Sequence, residues 1–217
     1  MNKLERKPFE MIVGRPVVVV IDIQKGSYMD VPAGSRLEFM PDRIARLHRT
    51  RGIVDAARAA TVPLVFIKEV HRPDRIDFGR ELDGMEGVHC IEDDPNSEFA
   101  FEEMGMVPGD YKVPKRRYSA FYGTDLEILL KGLKAHTLLL VGGFTDVCVH
   151  YTFVDAHQGD YVCRVAGDCV HGSSVSAHDA ALRAMAYLQT GAIQPASAMI
   201  DALHAYGEQQ GEAQGRA

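Results

Sequence analysis

Three residues of this chain could together attack a carbonyl: Cys148, Asp22 and Lys115. Cys148 follows the run Leu138–Gly143, LLLVGG, and an apolar run ending in glycine reads as a buried parallel strand that stops at a turn. Thr145 and Asp146 are start signals for a helix whose apolar spacing continues through Phe153. Cys148 is therefore expected in the first turn of a helix at the carboxyl end of a central strand. Unpaired N–H groups and the helix dipole there favour a thiolate. A buried structural thiol is the commoner fate of the residue type. Asp22 ends the β-branched run Pro16–Ile23, PVVVVIDI, where an acid is costly to bury without partners. Lys115 stands beside Arg116 and Arg117, and alone it reads as one surface lysine of a basic cluster. Together the three make sense: the carboxylate takes the thiol proton, the ammonium stabilises the sulfur anion, and the same acid later protonates a departing amine. Backbone N–H groups at the turn and at Cys148 would hold the oxyanion.

The elements that must bring them together are legible as strands alternating with helices. Strands are expected at Pro16–Ile23, Val62–Lys68, Tyr111–Val113, His136–Val141, Tyr161–Ala166 and around Ile193. Helices are expected over Pro41–Ala60, from Thr124-Asp125 to Leu133, after Thr145, over Ser173–Leu188 with Ser176 and Asp179 in capping-box relation, and over Ser197–Ala205. This pattern argues for one α/β domain, a mostly parallel sheet covered on both faces. If the first and fourth strands are neighbours, their carboxyl ends open onto one crevice. Residues 1–15 read as an N-terminal extension, Ser27–Phe39 as a loop, and Gly207–Ala217 as a frayed polar tail. The irregular segment Glu69–Asp110 is long enough to be a lid or a subunit contact.

Composition narrows the partners. The chain has 217 residues, 46% hydrophobic and 25% charged, enough for a single sizeable core. A net charge of −6 without a Lys/Arg stripe argues against nucleic acid and anionic membranes. No apolar run reaches membrane-spanning length, and the first residues do not form a secretory signal. The four cysteines show no CxxC pair, which reads as reduced thiols in a cytoplasmic protein; a Cys163–Cys169 disulfide stays open.

Asp22-Ile23-Gln24, Lys115 with Arg117-Tyr118-Ser119-Ala120-Phe121 and Thr124-Asp125-Leu126, and Gly142-Gly143-Phe144-Thr145-Asp146-Val147-Cys148-Val149 occur in this order. In these motifs the chain resembles the isochorismatase-like cysteine hydrolases, which include nicotinamidases, N-carbamoylsarcosine amidases and ureidoacrylate amidohydrolases. The resemblance covers roughly Pro16 to Leu203. It implies a Rossmann-like three-layer αβα sandwich with a six-stranded sheet, and a triad of Cys148, Asp22 and Lys115. It further implies a cis peptide at Gly143–Phe144, with the N–H groups of Phe144 and Cys148 as oxyanion hole, and a homo-oligomer, dimer or tetramer. Isochorismatases proper lack the cysteine, so Cys148 points to acyl transfer from an amide.

The expected activity is hydrolysis of a small non-peptide amide or N-carbamoyl compound through a thioester, releasing ammonia, without a cofactor. Gln24, Tyr28, Tyr118, Phe121, Phe144 and Tyr151 are candidates to line the crevice, and Arg117 to hold a substrate carboxylate bidentately. Two alternatives stand beside this reading. Nicotinamidases carry an Asp-x-His metal motif after the second strand, and Glu69-Val70-His71 here could hold Zn2+ or another divalent ion, although a site needs three well-placed ligands. The other alternative is a catalytically idle relative acting as a binding or subunit protein.

Overall fold

The computed structural model describes residues 9–30 and 40–215. Residues 31–39 of the expected loop and residues 1–8 of the expected extension lie outside the described residues, as do the last two of the expected tail.

Six parallel strands form one sheet: β1 Pro16–Ile21, β2 Leu64–Glu69, β3 Tyr111–Lys115, β4 Thr137–Gly143, β5 Val162–His171 and β6 Ile193–Gln194, in the order β3-β2-β1-β4-β5-β6. This is the doubly wound, Rossmann-like α/β order, and its direction of winding reverses between β1 and β4. The β-branched residues of β1 alternate across the sheet. Val18 and Val20 pack with Leu47, Ile53 and Val54 of α1 (Arg43–Ala59) and Met199 and Leu203 of α5 (Ala196–Gly215). Val17, Val19 and Ile21 pack with α2 (Leu126–Gly132), α3 (His150–Gln158) and α4 (Val175–Leu188), through Leu130, Phe153 and Met185. Both faces are thus sealed by apolar side chains, and polar chemistry is left to the strand ends.

The structure departs from the sequence expectations in several places. The last helix does not stop near Ala205; α5 runs on to Gly215, where a frayed tail was expected. Ser174, not Ser176, caps α4, its side chain accepting from the Ala177 N–H. Thr145 and Asp146 do not begin a regular helix either. A π-helical turn, Thr145–Val149, leads into α3, and their side chains reach across to the next unit. Asp146 accepts from the Ser173 N–H (2.9 Å) and hydroxyl (2.6 Å), and Thr145 Oγ1 meets His178 Nδ1 at 2.8 Å. All four cysteines are free thiols. A shift in the β4–β5 register puts Cys163 on one face of the sheet and Cys169 on the other, so no disulfide joins them. Among the described residues, no helix is long and apolar enough to cross a membrane.

Candidate active site

The site lies where the topology predicts, at the carboxyl ends of β1 to β4. Asp22 leaves β1 with φ of 51°, a left-handed conformation that Asp tolerates better than most residues. Beside it β4 comes so close that a Cβ on Gly142 would sit 2.0 Å from the Ile21 carbonyl oxygen. Only glycine fits there, which accounts for the first of the two glycines before the cysteine. The next peptide, Gly143–Phe144, is cis. Lys115 ends β3 and is the register partner of Glu69, which ends β2.

These strand ends bring Cys148, Asp22 and Lys115 into contact. Lys115 is fully buried. Its Nζ lies 2.9 Å from Asp22 Oδ2 and 3.4 Å from Cys148 Sγ, and it donates to Glu69 Oε2. A lone buried ammonium would cost several kcal/mol, so the carboxylates are what keep it charged. Burial alone would lower the Lys115 pKa, but Asp22, Cys148 and Glu69 outweigh it and hold it well above the ordinary lysine value. Burial raises the Asp22 carboxyl, against the pull of Lys115. Burial likewise pushes the Cys148 thiol well up, reinforced by Asp22 and Glu69 and opposed by Lys115. Desolvation and the two acidic neighbours favour the neutral thiol, against the pull of Lys115, so the sulfur needs the base that the sequence reading assigned to it.

Glu69 is the participant that motif reasoning put elsewhere. Its Oε2 is 3.5 Å from Cys148 Sγ, and its Oε1 is 2.7 Å from His89 Nε2. Burial would raise it, but Lys115 and the neighbouring His71 and His89 imidazoles hold it well below the usual carboxylate range. Its signal was available: an acid ends β2 as Asp22 follows β1.

A cavity of about 380 Å3 opens above the sulfur, a volume suited to a small molecule. Gln24, Tyr118 and Phe144 line it, as expected. The other candidates do not. Tyr28 stacks on His48 and packs against the core, because the turn 25–28 folds back under α1. Phe121 packs with Tyr161 on the outer face. Tyr151 is 50% exposed and reaches the site only by stacking on Tyr118. Arg117 donates to the Asp77 carbonyl and Arg116 to that of Val70, so both order the loop after β2. Gln24 is less a free substrate contact than a clamp, its amide donating to the carbonyls of Glu69 (3.0 Å) and Ser97 (2.6 Å). His171 and the stretch Glu86–Cys90, within the segment expected as a lid or subunit contact but not assigned to the pocket residue by residue, also line the cavity. The segment Glu69–Asp110 thus walls the chain's own pocket.

Glu69 and His71 do not stand alone as possible cation ligands. With Glu81 and His89 they offer ligand atoms all within 4.8 Å of one another. His71 is fully buried, with Glu81 Oε2 at 3.2 Å, Glu69 Oε1 at 3.5 Å and Asp77 Oδ1 at 3.5 Å, yet neither ring nitrogen has a well-formed hydrogen bond among the described residues. Both Glu81 oxygens are equally orphaned. Two imidazoles and two carboxylates are a donor set that zinc and its first-row neighbours accept, so the residues fit a divalent cation.

The isochorismatase domain model matches residues 16–197. The ureidoacrylate amidohydrolase RutB of Agrobacterium fabrum is 27% identical over 187 residues, 76% of this chain and 79% of that one. The solved isochorismatase-like hydrolase from Alkaliphilus metalliredigens is 26% identical with a TM-score of 0.75, covering 87% of this chain and 99% of its own. The N-carbamoylsarcosine amidase from Thermoplasma acidophilum is 25% identical with a TM-score of 0.69, covering 84% of this chain and 97% of its own.

Proposed function

The chain belongs to the isochorismatase family, and from that premise we propose that it is a cysteine amidohydrolase cleaving a small non-peptide amide or N-carbamoyl compound with release of ammonia. The similar ureidoacrylate and N-carbamoylsarcosine amidohydrolases support this class of substrate. One observation carries the reading: the buried Lys115 ammonium contacts both Asp22 and Cys148, two residues that line the cavity.

In this mechanism Asp22 takes the thiol proton as Cys148 Sγ attacks the carbonyl carbon. The C=O electron pair moves to oxygen, and the N–H groups of Phe144 and Cys148 receive the oxyanion. Collapse breaks the C–N bond, and the departing nitrogen takes the proton from Asp22. Water then attacks the thioester with Asp22 again as base, releasing the acid and restoring the thiol. Burial raises the Asp22 carboxyl, which makes it a better proton acceptor than an exposed carboxylate. The test is ammonia release by the parent, C148A and C148S over a panel of carbamoyl compounds, ureas and aromatic amides. Both variants should be folded and inactive; unaltered turnover in either refutes the nucleophile.

A metal-dependent, nicotinamidase-like amidase is the second reading, favoured by the orphaned His71 and Glu81 atoms facing Glu69 and His89. A cation held there would supply Lewis-acid polarisation. Metal analysis of protein purified without added ions distinguishes the two readings. A stoichiometric ion lost in H71A supports this second one, and absence of metal from the parent removes it.

A further inference from the structure

We propose that Glu69 is a positioning residue for Lys115, fixing the ammonium between the base and the nucleophile. An ammonium has three N–H groups and no acceptor, and Lys115 is fully buried, so no water can take an unused donor. Three side-chain atoms face its Nζ: Asp22 Oδ2 at 2.9 Å, Cys148 Sγ at 3.4 Å, and Glu69 Oε2, to which it donates. Lys115 thus donates to Glu69 and to the sulfur and pairs with Asp22 by charge at 2.9 Å, so the Glu69 bond limits how far the ammonium can move from the base and the sulfur. Without it, the group has a donor to satisfy and one direction in which to drift.

The backbone makes this contact specific. Glu69 and Lys115 are register partners at the ends of adjacent parallel strands, and the Val70 N–H donates to the Lys115 carbonyl at 3.1 Å. Their side chains therefore leave the sheet side by side. Reach matters as well: Glu69 spans from Lys115 on one oxygen to His89, 2.7 Å away, on the other. An aspartate at the same Cα is one methylene short of bridging both. The two oxygens have separate tasks, so the assignment holds whether or not a cation occupies the histidine side.

Length and charge can be varied independently with E69D (short, charged), E69N (short, neutral) and E69Q (long, neutral). Alkylation of Cys148 by iodoacetamide near neutral pH, followed by peptide mass spectrometry, reads the nucleophile without any substrate. Ammonia release gives kcat and KM; this second arm alone rests on the amidase reading. Positioning predicts that length sorts the variants. E69D and E69N should alkylate Cys148 about tenfold more slowly than the parent and lose at least about tenfold in kcat with KM nearly unchanged, and E69Q should stay about fivefold or more above both. The inference is overturned if charge sorts them instead, E69D outperforming E69Q, or if E69N or E69D matches the parent. Should E69D not fold, E69N against E69Q decides the same question. If no amide in the panel is cleaved but the alkylation order holds, the amidase reading fails and Glu69 keeps its role.

Discussion

Two buried histidines, His171 lining the cavity and His71 behind its Glu69 side, have their pKa values moved in opposite directions. On the β2–β3 side, burial alone would lower His71, but Glu69 and Glu81 outweigh it and push its pKa up to about 9. On the β5 side, burial joined by Arg43, Arg46 and His178 lowers His171 to about 3. His171 lies against the glycine of the cis peptide and meets Phe144 edge to face, with ring centroids 5.6 Å apart. Burial acts alike on both; the sign is decided by whether carboxylates or guanidinium groups stand next to the ring. One side is thus an ionic lattice tied to Cys148, and the other presents a neutral imidazole, with Arg43 and Arg46 beside it, behind the Gly143–Phe144 turn. The lesson is that depth in the fold does not fix charge; the neighbours do.

That contrast can be broken most severely at its ionic centre. K115M leaves Asp22 and Glu69 buried without their shared cation, and breaking a buried pair costs about 3–5 kcal/mol. Denaturant melts should show that loss, and any folded fraction should release no ammonia. G143A strikes the neutral wall by crowding, because a Cβ there would lie 2.5 Å from His171 Cε1 and 2.7 Å from Nε2. Overpacking of this kind costs about 1–3 kcal/mol, and H171A in the same chain should recover part of it in a double-mutant cycle. H171F sharpens the comparison through pH. The native pKa of about 3 lies below the usual 6.5, so between those values the unfolded chain binds more protons and stability falls on acidification. This contribution is complete above 6.5 and is lost as pH drops toward 3. Thermal melts of H171F should therefore fall less steeply than those of the parent through that window. Y151A should do least: the ring is half exposed and outside the cavity, so KM should stay within about twofold.

Much of this was readable in the chain. The apolar runs before Asp22 and Cys148 mark two strands, which the sheet order makes neighbours, and a polar residue at the end of a buried strand must find partners or a ligand. By the same logic Glu69 and His171 stand at the ends of β2 and β5; from the sequence Glu69 is weighed only as a metal ligand beside His71, and His171 is not singled out. Tyr28, Phe121 and Tyr151 were misplaced for a different reason. An aromatic residue in a loop or on a helix shows no periodicity that separates a pocket wall from an outer packing face. Arg117 was misread because a guanidinium fork suits a backbone carbonyl as well as a carboxylate. The Glu69–His71–Glu81–His89 cluster depends on how an irregular segment folds back, which no local pattern encodes.

The central claim is that Cys148 carries the acyl group. Acid-quenched samples of the enzyme turning over its best amide, analysed by peptide mass spectrometry, address it directly. The account predicts a transient adduct of the acyl mass on the Cys148 peptide, appearing before steady-state ammonia release and absent from C148A. Ammonia release with that peptide unmodified at every quench time, or an adduct on any other residue, would contradict it.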